Sequence, residues 1–167
     1  MRMLSTGHVK VAILTTKPAN IAAPTVLELN GGIANAADFI PKSLWKWGAG
    51  DPKTVSDPAL SANFEAEVPT EDTYDLGLGV YRGYTAAGAV DATEDALFAA
   101  TKLRGTTLYI YARKTGKLST DIWAAADEIY LGGAVVTGTP KEVSEGWIKY
   151  EVPIFAQTMF NFIAAAA

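Results

Sequence analysis

Cysteine is absent from this chain and histidine occurs once, at His8. No thiolate nucleophile, disulfide framework, Cys/His zinc site or paired-histidine metal site can therefore be built. A basic excess is missing too, because 14 Lys and Arg stand against 18 Asp and Glu, for a net charge of −4 at pH 7. Tight binding to nucleic acid needs clustered cations that displace counterions from phosphates, so the chain is not expected to grip DNA. Long apolar runs are lacking as well. Val11 to Leu14 after Lys10 is too short for the apolar segment of a secretory leader. The uncharged stretch Ile154 to Ala167 carries Gln157, Thr158 and Asn161 and falls below the roughly 20 apolar residues that span a bilayer. Neither a leader nor a membrane anchor is expected. What is present suits one folded domain over residues 1–167: 49% of residues are hydrophobic and 19% charged, enough to bury a core.

Patterning along the chain is mostly that of strands. Val9 to Thr16 is β-branched and stops at Lys17-Pro18, which reads as a strand. Residues 17–60 read as an arm and a long loop: Pro24 opens one turn of helix that Asn30-Gly31-Gly32 ends, and two Asp-Pro pairs with glycines punctuate Lys42 to Leu60. Ala62 to Val68 alternates, as does Tyr74 to Tyr81, and the pair reads as a hairpin joined through Pro69 to Asp72. Its second face collects Glu65, Glu67 and Asp75 beside glycines, a flat acidic face. Asp91 to Leu103 is the one convincing helix, with Asp91 as N-cap and Leu97, Phe98 and Leu103 as its stripe. Thr106 to Arg113 is a further strand, and Asp127 to Gly138 with Trp147 to Phe155 form a last pair, with a bulge at Gly132-Gly133. Residues 154–167 follow as a C-terminal tail. Mainly β architecture, a sandwich or barrel with one flanking helix over about 91–103, is the expected fold class.

Each candidate for chemistry has a plainer structural explanation. Gly77, Gly79 and Gly83 miss the spacing of a dinucleotide loop and lie on a strand, where glycines let another surface approach. His8 has no nucleophile or orienting carboxylate around it. Glu65 with Glu67, or Asp127 with Glu128, would offer two carboxylates to a glycosidase, yet a solvated strand face explains them as well. Asp51, Asp57, Asp72 and Asp75 do not follow the spacing of a calcium loop. Trp45 and Trp47 would make either an interface anchor or a sugar-stacking platform, the first being favoured. No catalytic residue, metal or cofactor is expected.

Three stretches carry a resemblance. Pro24-Thr-Val-Leu-Glu-Leu-Asn30, Thr107-Leu-Tyr-Ile-Tyr-Ala-Arg113, and Asp127-Glu-Ile-Tyr-Leu131 with Ile148 to Ile154 resemble, in order and spacing, the tail tube proteins of long-tailed phages, especially those of actinobacterial hosts. The resemblance implies a non-enzymatic virion protein of the phage tail, whose hexameric rings stack into a conduit for dsDNA. It also implies contacts with tape measure, terminator and baseplate proteins, and no tight hold on the passing duplex. On that footing Glu65, Glu67 and Asp75 are candidates for an acidic lumen wall, and Pro24, Leu27, Leu29, Trp45 and Trp47 for contacts between subunits or rings. The alternatives from other classes are a carbohydrate-binding β-sandwich and a terminator or connector ring that does not stack.

Overall fold

The computed structural model of the chain describes residues 6–61, 64 and 67–167. Three antiparallel sheets account for the fold. The first has the order β1 (Val9–Leu14), β6 (Thr107–Lys114), β7 (Glu128–Thr137) and β10 (Ile154–Ala164). The second runs β2 (Lys46–Ala49), β5 (Tyr74–Tyr81), β9 (Lys149–Val152) and β8 (Lys141–Val143). A two-stranded ribbon of β3 (Lys53–Val55) and β4 (Val68–Glu71) belongs to neither.

Alternation along the strands makes the two larger sheets a sandwich. Ile13, Leu108, Ile110, Leu131 and Val135 project from the first sheet, and Trp47, Leu78, Val80 and Val152 from the second, into one buried cluster. The residues of opposite parity on β6, Tyr109, Tyr111 and Arg113, face away from that core. They are covered by a second cluster in which α1 (Val26–Asn30), Trp123 and Ala165 supply the lid. The glycines of β5 do admit a close neighbour. A Cβ on Gly79 would lie 2.5 Å from Cβ of Leu44, whose short 3-10 turn folds over the strand.

Several expectations need correction. The helix expected over 91–103 is reduced to α2 (Ala96–Thr101), because Asp91 instead caps a preceding turn, accepting from the N–H groups of Thr93 and Glu94 at 2.9 and 3.2 Å. Leu103 of the expected stripe is exposed. Of the strand expected over Ala62 to Val68, Val68 opens β4 while Phe64 and Glu67 are not in a strand, and Pro69 to Glu71, expected as a turn, continues β4. Ala62, Asn63, Glu65 and Ala66 lie outside the described residues, but Phe64 and Val68 of the supposed inner face are exposed, so alternation there does not signal burial. The loop expected from Lys42 to Leu60 contains β2 and β3. The supposed closing pair splits: β7 pairs with β6 and β10, whereas β9 pairs with β5 and β8 in the other sheet. The uncharged C-terminal tail is β10, the longest strand described. The extra residue expected at Gly132-Gly133 lies instead on β10, between Ala156 and Thr158.

Candidate functional site

The first motif is a small machine for tying down the arm. Thr25 Oγ1 accepts from the Glu28 N–H at 3.2 Å while the Glu28 carboxylate accepts from the Thr25 N–H at 2.8 Å, a reciprocal cap on a five-residue helix. Glu28 also accepts from the Ala19 N–H at 2.8 Å, and these backbone hydrogen bonds hold its carboxyl below the usual value. Asn30 then reaches a distant loop: its side chain donates to the Trp123 carbonyl at 3.2 Å and accepts from the Trp123 N–H at 3.0 Å. The C-terminus joins in, since Val26 N–H donates to Ala166 O and Ala166 N–H to Pro24 O, each at 2.9 Å.

Arg113, at the end of the second motif, is wholly buried. Its Nη1 donates to Asp127 Oδ2 at 2.6 Å and to Ile122 O at 3.2 Å, and Nη2 to Leu118 O at 2.9 Å and Asp121 O at 3.0 Å. The guanidinium lies 5.1 Å from the Trp123 ring centroid. One fork therefore fixes the whole 114–127 connection. Asp127 also accepts from Lys117 Nζ and from the Ala124 N–H. Burial pushes the Asp127 carboxyl up, but the hydrogen bonds from Lys117, Ala124 and Arg113 outweigh it and hold the group below its ordinary value. Across the sandwich, Arg82 forks onto the buried Asp95 at 2.6 and 3.1 Å with the Phe98 ring 4.0 Å below it. Both ion pairs serve packing, tying the 114–127 connection and the start of α2 to the sheets.

The candidate residues do not come together. Glu65 lies outside the described residues, Glu67 is exposed just before β4, and Asp75 is exposed on β5. Strand register puts Lys46, Lys141, Lys149 and Glu151 on the same outer face as Asp75, so among the described residues the face around Asp75 is mixed in charge. Pro24 and Leu29 are buried, and Trp47 is only 7% exposed and donates Nε1–H to Leu131 O at 2.8 Å. Trp45 stacks on Trp47 with ring centroids 5.4 Å apart, so this pair is inner packing with one edge at a cleft and no flat sugar platform. Leu27, 84% exposed, is the member of the set that points to solvent.

Sequence reasoning missed other exposed anchors. Trp147 is 81% exposed and Phe162 75% exposed, with Phe155 exposed on the same edge strand, β10. That strand has a strand neighbour on one side only; β1, at the opposite edge of the sheet, is partly covered, because Ile33 N–H donates to Ile13 O at 2.9 Å. Eleven residues of edge without one charge are a template for pairing with another chain. The lack of charge after Ile154 was visible in the sequence, but read as a tail it gave no strand.

Comparison with known families decides between the readings, for the model of the phage tail tube protein family matches residues 1–167. The chain belongs to the phage tail tube proteins. It is thus a structural component of the virion tail, with a mainly β sandwich fold. No match was found among curated proteins or among solved structures. As a tail tube protein it is expected to assemble with its own copies and with other tail proteins. In this tail tube protein the sandwich is firm, the arm is locked to it, and β10 lies at the edge of its sheet.

Proposed function

We propose that this tail tube protein forms hexameric rings that stack into the conduit through which dsDNA leaves the capsid, with tape measure, terminator and baseplate proteins at the ends of its stack. The observation that carries the reading is the long uncharged edge strand β10, at the side of the four-stranded sheet opposite β1, whose own edge is partly covered where Ile33 N–H donates to Ile13 O at 2.9 Å. Different surfaces meeting head to tail close a ring when the rotation permits, and closure removes the edges. The net charge of −4 fits a conduit that must not hold its cargo. Repeated sites of even roughly 10⁻⁴ to 10⁻⁶ M would retain the duplex by multivalency. Asp75 is our candidate for a carboxylate at the lumen wall, acting by short-range repulsion of phosphates within about 8 Å at physiological salt.

Electron microscopy of concentrated protein tests the reading. Stacked rings with a central bore are expected, and lysines at Gln157 and Thr158 should abolish them while leaving the circular dichroism spectrum unchanged. Rings that never stack would point to a terminator or connector. A monomeric scattering mass at every concentration would overturn self-assembly altogether.

A further inference from the structure

The ribbon of β3 and β4 stands apart from both sandwich sheets, held at its base by Gly50 N–H to Thr73 O at 2.7 Å and clamped within by Lys53 to Glu71 at 2.7 Å. It leaves Val55, Leu60, Phe64 and Val68 in solvent, with Phe64 76% exposed. Its described ionisable residues are Asp51, Asp57, Glu67, Glu71 and Asp72 against Lys53 alone. The described residues of the segment are at once apolar and acidic, and those from Asp51 to Asp72 are exposed.

Beside β1 the sandwich carries the converse surface. A cleft of about 580 Å³ is lined by Val11, Ile40, Trp45 and Tyr130 among others, and the charged residues in its lining are Lys42 and Lys114. No residue of the β3–β4 arm lines it. Aromatic-walled clefts of this size take apolar side chains as anchors, and a cationic rim selects a partner whose anchors are flanked by carboxylates.

We propose that the arm of one subunit docks in the tryptophan cleft of a second copy, with Leu60 and Phe64 as anchors and the arm carboxylates against Lys42 and Lys114. This rests on the self-assembly reading above and deepens it by naming the two surfaces that meet. The contact is heterologous, arm into cleft, so each copy offers one of each and the chain of contacts repeats without exhausting either. On this reading Glu67 faces a neighbouring subunit and not the lumen.

The absence of cysteine makes the test clean. Leu60→Cys and Lys42→Cys variants, mixed under oxidising conditions at a concentration where the wild type assembles, should give a disulfide-linked dimer that neither variant gives alone. Lys42→Glu with Lys114→Glu should raise the concentration needed for assembly by about tenfold or more. Adding Asp57→Lys and Glu67→Lys to that variant should restore it, and circular dichroism separates loss of contact from loss of fold. Wild-type assembly with no cross-link, and with the charge-reversed variant assembling normally, would overturn the docking while leaving self-assembly intact. Failure of the wild type to assemble at any concentration would overturn both.

Discussion

At the scale of single residues, the buried ion pair of Arg113 and Asp127 is where the largest effect of one substitution is expected. Asp127→Asn keeps the shape but leaves the guanidinium buried with no anion, which should cost about 3 kcal/mol, read from the urea midpoint at pH 7. Acid should do the same to the wild type. Asp127 and Glu28 are both held below their ordinary values of 3.8 and 4.5, so the unfolded chain binds more protons as pH falls. The stabilisation they give is present above those values and is lost as pH drops through the lower folded ones. The acid limb of stability should therefore flatten in Asp127→Asn; an unchanged limb would remove Asp127 from the account. Little of this was legible in advance. Parity along Thr107 to Arg113 puts Arg113 on the face of Tyr109 and Tyr111, but its carboxylate partner sits 14 residues on, at the far end of a loop with no spacing to announce it.

Elements of five or six residues cannot hold themselves, since helices below about 12 residues are marginal in water. Helix α1 is held by its cap, by Asn30 on the Trp123 backbone and by the backbone of Ala166, beyond β10, alongside Pro24 to Val26. Asn30→Ala should free the Trp123 N–H and speed its hydrogen exchange by about tenfold, corresponding to about 1.4 kcal/mol, while protection within β6 and β7 stays as it was. Equal acceleration everywhere would mean that the clamp stabilises the whole fold and not the 114–127 loop. The turn itself could be read from the sequence, because Pro24 and the Asn30-Gly31-Gly32 stop act locally. Where it docks could not, for Asn30 and Trp123 are 93 residues apart. The same division explains Ala62 to Val68. Alternation reports a strand-like period, but Phe64 and Val68, the described residues of the supposed inner face, are exposed beside a ribbon that pairs with neither larger sheet, which no local pattern encodes.

At the scale of the molecule, strand parity was legible and strand order was not. Sequential strands often pair, and that tendency favoured joining Asp127 to Gly138 with Trp147 to Phe155, whereas Pro153 hands the chain from one sheet to the other. The exchange is what exposes β10 as an edge, and with it the part of the surface that needs other copies. Those copies each carry −4 at pH 7, so bringing many together works against their mutual repulsion, while the sequence pI is near 5.0. Lowering the pH from 8 toward 5 should therefore reduce the concentration at which light scattering first reports assembly. At pH values low enough to pass through the lowered values of Asp127 and Glu28 the trend should reverse, because carboxylates that hold the subunit together then become protonated. Added salt at pH 8 should reproduce the first half of that trend by screening and leave the second untouched. An onset independent of pH between 8 and 5, at low salt, would mean that apolar edge pairing outweighs net charge, and the uncharged face of β10 would then have to account for assembly by itself.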